Sequence, residues 1–80
     1  MNLAAKRDLL LPGLCALSQR ANPKNKMTDI LLDYAHNELY VLVWDPTTKT
    51  ADKEVFNAAD LESERLAQEF RPRVEKLLAK

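Results

Sequence analysis

The hydrophobic pattern of this chain is dominated by one apolar run of six residues, Leu39-Tyr40-Val41-Leu42-Val43-Trp44. The run is rich in β-branched and aromatic residues, as is typical of a β-strand. A polar segment, Asp45-Pro46-Thr47-Thr48-Lys49, follows it, and Asp before Pro favours a type I turn there. We therefore predict that the run is the central strand of a small sheet.

The preceding segment, residues 27–37, fits either a strand or a helix. As a strand, it has a face formed by Thr28, Ile30, Leu32 and Tyr34. As a helix capped by Thr28, it has an apolar stripe formed by Ile30, Leu31, Tyr34 and Ala35. We favour the strand, with His36-Asn37 as a tight two-residue turn, because Asn tolerates the left-handed conformation that such a turn needs.

The strand interpretation predicts a hairpin in which Ala35 lies opposite Glu38. One face is then wholly apolar, with the pairs Tyr34–Leu39, Leu32–Val41 and Ile30–Val43. We expect this face to be the core. The reverse face mixes aromatic and aliphatic groups with carboxylates, in the pairs Asp33–Tyr40, Leu31–Leu42 and Asp29–Trp44.

Residues 50–56 are predicted to return as a third strand. Ala51 and Val55 favour the core face, but a simple four-residue loop would place Asp52 and Glu54 there. We therefore expect a β-bulge or a longer loop. The charges of this segment are typical of an edge strand, because they discourage further pairing.

A helix is predicted on each side of the strands. The first extends from Asn2 to Leu11, and Pro12-Gly13 should end or bend it, since an interior proline costs about 3 kcal/mol. A second short helix can begin with Pro12 in its first turn and continue to Ala21. Residues 22–26 are then a polar loop.

The last helix is predicted to begin at Asn57, which has the side chain of an N-cap. Asp60 would lie in the first turn, and Phe56 would pack on Leu61. Pro72 is expected to kink this helix. The order of helix, three-stranded antiparallel meander and helix predicts a single α+β domain over residues 1–80.

The small size of the chain favours association. A domain of 80 residues buries only about 60% of the surface that its unfolded chain exposes. One cysteine, Cys15, allows no internal disulfide, and no Cys/His cluster is present to bind zinc. A partner, either a second copy or another protein, is the remaining source of stability. The lone thiol favours a cytoplasmic location, and no apolar run reaches the ~20 residues of a membrane span.

The candidate chemistry argues against an enzyme. His36 is the only histidine, Ser18 and Cys15 have no base nearby in the sequence, and one glycine gives no phosphate-binding loop. A helix over residues 27–37 would place Asp29, Asp33 and His36 on one face, where they could bind a divalent metal. A strand would separate them, so we predict no metal site and no cofactor.

Nucleic-acid binding is the alternative function. The net charge is zero, but residues 1–28 carry +4, residues 29–64 carry −7 and residues 65–80 carry +3. A three-stranded sheet can enter a DNA groove while basic residues contact phosphates. The candidates for such contacts are Arg20, Lys24, Lys26, Arg71 and Arg73. Carboxylates on the sheet would oppose this mode, because they repel the DNA backbone.

We favour a non-enzymatic protein-interaction or assembly module, acting as a homodimer or as a subunit. Its predicted contact surface is the reverse face, with Tyr40, Leu42 and Trp44 at the centre and Asp29 and Asp33 at the rim. Aromatic anchors with a polar rim are typical of interface centres. The competing arrangement is a three-layer monomer, in which one helix covers each face of the sheet.

Overall fold

The computed structural model describes residues 2–59 and 64–80. Its elements are α1 (Leu3–Arg20), β1 (Met27–Asp33), β2 (Glu38–Asp45), β3 (Thr50–Asn57) and α2 (Glu64–Ala79). The strands form one antiparallel sheet in the order β1-β2-β3. The predicted α+β class, the meander and the strand interpretation of residues 27–33 are therefore confirmed.

The first helix continues through Pro12. Asn2 caps its start, because the side-chain oxygen accepts a hydrogen bond from the Ala5 amide at 2.8 Å. Pro12 lies inside α1 and is exposed, and the helix continues past it to Arg20. The expected second short helix is therefore the later part of α1. Burial of Leu14 and Leu17 in the core helps to offset the backbone hydrogen bond that an interior proline removes.

The first hairpin differs from the predicted register by two residues. The observed pairs include Asp33–Glu38, Leu32–Leu39 and Ile30–Val41, and residues 34–37 form a four-residue turn. Asn37 adopts the left-handed conformation with φ 51°, as expected of a residue that ends such a turn. Tyr34 is 69% exposed, so its predicted place in the core is wrong.

The third strand pairs with β2 without the predicted bulge. Its ladder extends from Asp45–Thr50 to Glu38–Asn57 without interruption, after a four-residue connection that ends at Lys49 with φ 57°. Asp45 accepts hydrogen bonds from the amides of Thr47 at 2.9 Å and Thr48 at 3.4 Å, which fixes the turn. The regular register places Asp52, Glu54 and Phe56 on the core face together with Val41. Ala51 and Val55, which were expected on the core face, therefore lie on the opposite face.

Both helices pack on the same face of the sheet. The strands contribute Ile30, Leu39, Val41, Val43 and Phe56 to the buried core. The helices contribute Leu14, Leu17, Leu66, Phe70, Val74, Leu77 and Leu78. The molecule therefore has two layers, and within residues 2–59 and 64–80 no element covers the other face. The three-layer arrangement is excluded for this part of the chain.

Two buried lysines connect distant elements. The Lys6 ammonium donates to the Ala58 carbonyl oxygen at 3.1 Å, and that of Lys26 donates to Leu77 at 3.3 Å and to Lys80 at 2.9 Å. The second set of contacts places a positive charge at the end of α2, where the helix dipole is negative. Every buried side-chain polar atom in the described residues has a hydrogen-bond partner.

The beginning of α2 differs from the prediction. Asn57 belongs to β3, and its side-chain oxygen accepts from the Ala59 amide at 2.9 Å in a local turn. It is not the N-cap of α2, which begins at Glu64. Asp60 and Leu61 lie outside the described residues. Pro72 is inside a continuous α2, and the kink expected there stays a prediction.

Candidate protein interface

The face of the sheet that points away from both helices is the candidate site, and we call it the open face. Its side chains follow from the alternation along each strand, because the buried strand residues all occupy the other face. From β1 to β3 it comprises Met27, Asp29, Leu31, Asp33, Glu38, Tyr40, Leu42, Trp44, Ala51, Lys53, Val55 and Asn57.

The open face is arranged in rows that cross the three strands. It has four rows, of which the first three along β1 are Met27–Trp44–Ala51, Asp29–Leu42–Lys53 and Leu31–Tyr40–Val55. Met27 is 64% exposed, and Trp44 and Val55 are each 37% exposed. Leu31, Tyr40 and Leu42 are half-buried. Aromatic and aliphatic side chains therefore form a contiguous solvent-accessible patch along β2, and a shallow depression lies between Met27 and Trp44.

Asp29 and Lys53, two of the four charged residues of the open face, lie on opposite sides of this patch, while Asp33 and Glu38 share the end row. Asp29 on β1 and Lys53 on β3 share the row of Leu42, one on each side. The Lys53 ammonium lies 5.2 Å from the centroid of the Tyr40 ring, which is within the range of a cation–π contact. An Asp29 side-chain oxygen accepts a hydrogen bond from the adjacent Ile30 amide at 2.8 Å. The row of Leu42 thus has a negative end and a positive end.

The sequence interpretation found part of this surface. It named Tyr40, Leu42, Trp44 and Asp29, and the structure places all four on the open face. It missed Met27, Lys53 and Val55. Simple alternation along β3 in register with β2 would have assigned Lys53 and Val55, but the charges of Asp52 and Glu54 argued against that register.

The fifth predicted residue, Asp33, lies at the end of the face and has a different role. Its carboxylate accepts hydrogen bonds from the His36 ring nitrogen Nδ1 at 2.8 Å and from the His36 amide at 3.2 Å. The hydrogen bond to His36 lowers the pKa of Asp33, and the same bond raises the pKa of His36. The prediction that a strand would separate His36 from Asp33 is wrong, because the four-residue turn folds the imidazole back.

Ligand atoms of Asp33, His36 and Glu38 lie within 4.8 Å of one another, a spacing that could accommodate a cation. The Asp33–His36 hydrogen bonds already account for this geometry as that of a capped turn. The other arrangement considered, a helical group of Asp29, Asp33 and His36, is not formed because Met27–Asp33 is a strand.

The residues expected to contact nucleic acid lie in or beside the helical layer. Lys26 is buried against the end of α2, and Arg73 binds Glu54 of β3. Arg71 donates to Glu75 at 2.7 Å, which raises the pKa of its guanidinium, and Lys24 contacts the Lys80 carbonyl oxygen. Arg20 is exposed at the end of α1. None of these five side chains is on the open face.

Comparisons with known protein families, with curated proteins and with solved structures gave no significant match to this chain. Neither α1 nor α2 combines the length and the apolar character that crossing a membrane requires. The functional argument therefore rests on the geometry and chemistry of the described residues.

Proposed function

We propose that this protein is a non-enzymatic association module that binds a protein partner through the open face of its sheet. The observation that carries the proposal is the packing of both helices on one face, which leaves Tyr40, Leu42 and Trp44 accessible on the other. A sheet face with this composition ordinarily packs against another layer. A partner supplies that layer.

The energetics of interfaces support the same proposal. Tryptophan and tyrosine are enriched among the residues that contribute most to binding, and truncation of such an anchor typically costs 2 kcal/mol or more. Trp44 retains 37% of its accessible surface in the free chain, so a partner can remove further apolar area from water. Asp29 and Lys53 border the patch and provide a polar rim.

Binding of nucleic acid through the sheet has weaker support. The open face has carboxylates at Asp29, Asp33 and Glu38, which repel phosphate, and Lys53 as its one cation among the described residues. Lys26 and Arg73 are already engaged in contacts within the chain. Retention on heparin that falls steeply with salt would support the nucleic-acid alternative, because phosphate contacts release counterions.

Site-specific photo-crosslinking in cells tests the proposal. A photoreactive amino acid in place of Leu42 should give discrete protein adducts, whereas the same group in place of Leu9 should not. Leu9 is the matched control because it is a 67% exposed leucine on α1, away from the sheet. Trp44→Ala in the position-42 variant should abolish the adducts while circular dichroism stays that of the folded protein. Equal crosslinking at the two positions, or adducts that persist with Trp44→Ala, would overturn the proposal.

A further inference from the structure

The positions of Asp29 and Lys53 on the open face favour one kind of partner. We infer that the occupant is a second copy of this chain, packed face to face about a two-fold axis that runs parallel to β2. This inference rests on the proposed function, because it uses the same face and specifies what binds there. It adds the orientation of the two copies, the direction of the two-fold axis and an ion pair between Asp29 and Lys53, and each of these can be tested.

The geometry follows from the order of the strands. A rotation of 180° about an axis parallel to β2, midway between two facing sheets, leaves each residue at its level along the strands and exchanges left with right. Because β2 is central, β2 then faces β2, and β1 faces β3 of the second copy. Residues that share a row within one chain therefore face each other between the two copies.

This symmetry matches the charges. Asp29 and Lys53 share the row of Leu42, so Asp29 of each copy faces Lys53 of the other, and two equivalent ion pairs form. Facing sheets usually pack at an angle of about 30°. Asp29 and Lys53 are each one strand, about 4.8 Å, away from the axis. At that distance the angle moves the two facing residues apart by only about 2–3 Å along the strands. A lysine side chain can span that displacement.

The same symmetry also brings apolar side chains of complementary size into contact between the two copies. The large Met27 faces the small Ala51 of the second copy, and Leu31 faces Val55. Four open-face side chains of β2 lie on the axis and meet their own equivalents. Tyr40, Leu42 and Trp44 form a continuous apolar centre, whereas Glu38 faces Glu38 of the second copy in the end row and opposes the pairing there. Apolar contacts thus lie along the axis, with an ion pair on each side.

The charges also disfavour the other way of packing two copies face to face. An axis in the plane between the sheets but perpendicular to the strands places β1 over β1 and β3 over β3. With that axis at the row of Leu42, Asp29 would face Asp29 and Lys53 would face Lys53. Like charges in direct opposition disfavour a pairing. Compared with that arrangement, the axis parallel to β2 replaces two like-charge pairs by two attractive ones and opposes only Glu38 with Glu38, so the charges favour it.

The size of the face predicts the strength of the dimer. Three strands about 4.8 Å apart, with about 3.3 Å per residue along seven paired residues, give a footprint of roughly 14 by 23 Å. This footprint is roughly 320 Å², well below the accessible surface of about 800 Å² per partner that stable complexes commonly bury, so the face corresponds to a weak, transient interface. We expect a reversible dimer with a Kd of about 100 μM or weaker.

Charge reversal with sedimentation equilibrium tests the inference. Asp29→Lys should weaken self-association about tenfold, because two attractive pairs become repulsive, and Lys53→Asp should do the same. The double variant, Asp29→Lys with Lys53→Asp, should restore the wild-type Kd to within about threefold. Asp52→Lys is the matched control, since Asp52 is an exposed residue of β3 on the helical side of the sheet. It should leave the Kd unchanged.

Neutralisation distinguishes the two axes. Asp29→Asn should weaken the dimer if Asp29 faces Lys53, whereas it should strengthen the dimer if Asp29 faces Asp29. A strengthened dimer, or a double variant that stays as weak as the single ones, would overturn the axis parallel to β2. A wild-type chain that is monomeric at roughly millimolar concentration, but crosslinks at position 42 to a different protein, would overturn self-association and leave the proposed function standing. A monomer without specific crosslinks would overturn both.

Discussion

Nε of Arg73 donates a hydrogen bond to a side-chain oxygen of Glu54 at 2.6 Å, and this contact joins α2 to β3. The guanidinium carbon also lies 4.1 Å from the centroid of the Phe56 ring, and another nitrogen of the group donates to the Val55 carbonyl oxygen at 2.8 Å. One arginine therefore partners a carboxylate on the core face and covers an aromatic ring of the core.

Replacement of Arg73 should destabilise the fold. We expect Arg73→Ala to lower the free energy of unfolding by about 1–2 kcal/mol, because a half-exposed ion pair and a cation–π contact are lost together. Arg73→Lys should recover less than half of this loss, since an ammonium lacks the planar fork of the guanidinium. Urea titration followed by circular dichroism measures both values. A loss below about 0.3 kcal/mol for Arg73→Ala would contradict this account of the contact.

Lys26 should contribute more to stability than its neighbour Lys24. Its buried ammonium donates to two carbonyl oxygens at the end of α2, whereas Lys24 is exposed. We expect Lys26→Met to cost about 1–3 kcal/mol, because hydrogen bonds to a charged group and a helix-dipole contact are lost. Lys24→Met, the matched control, should cost less than about 0.5 kcal/mol.

A second measurement separates the charge of Lys26 from its packing. Burial alone would raise the pKa of Asp45, but amide hydrogen bonds from Thr47 and Thr48 and the nearby charge of Lys26 hold that pKa below its ordinary value of 3.8. Lys26→Met should therefore raise the pKa of Asp45 in a carboxyl NMR titration. An unchanged pKa would show that the two groups do not interact through their charges.

Gly13 should be replaceable with a gain in stability. It lies inside α1, and the neighbouring elements leave open space where the methyl group of an alanine would be. Gly13→Ala should raise the free energy of unfolding by about 0.5–1 kcal/mol, because alanine loses less backbone entropy in a helix. A shift of the chemical denaturation midpoint to higher urea, with an unchanged slope, is the expected observation. A destabilised variant would show that α1 needs the flexibility or the space at this position.

The Asp33–His36 pair should stabilise the hairpin within a defined pH window. The hydrogen bond to Asp33 raises the pKa of His36 above its ordinary value of 6.5, so this contribution is complete below pH 6.5 and is lost as the pH rises through the raised pKa. The pKa of Asp33 is below its ordinary value of 3.8, so its contribution is complete above pH 3.8 and is lost as the pH falls through the lowered pKa. Both contributions are therefore complete between pH 3.8 and pH 6.5, and each declines between its ordinary pKa and its shifted folded-state pKa.

An NMR titration of the His36 ring tests this window. The wild-type midpoint should lie above 6.5, and Asp33→Asn should move it back towards 6.5, because the ionised partner is removed. Glu38→Gln should cause a smaller decrease, since Glu38 acts on His36 through charge alone. A midpoint that is the same in wild type and Asp33→Asn would contradict the pairing.

The sequence predicted the faces of the first hairpin better than its register. A slip of two residues preserves which side chains share a face, because the side-chain period of a strand is two. Ile30 and Val41 therefore lie in the core in both the predicted and the observed pairing. The turn decides the register, and the interaction of Asp33 with His36 that favours a four-residue turn is not visible in a hydrophobic pattern.

The placement of β3 and of the helices depended on contacts between distant residues. Glu54 argued against the simple register because its partner, Arg73, lies 19 positions away in another element. Similarly, no local signal indicated that α1 and α2 would pack on the same face. The aromatic strand that forms the candidate interface was predictable, whereas its accessibility depended on this choice of face.

The two-layer arrangement assigns different constraints to alternate positions of a single strand. In β2, substitutions at Leu39, Val41 and Val43 disturb the packing that maintains the fold, while those at Tyr40, Leu42 and Trp44 change a surface at far smaller structural cost. The chemistry of the open face can therefore diverge during evolution, or be redesigned in the laboratory, by changing every second residue of β2 while the rest of the molecule is kept as a scaffold.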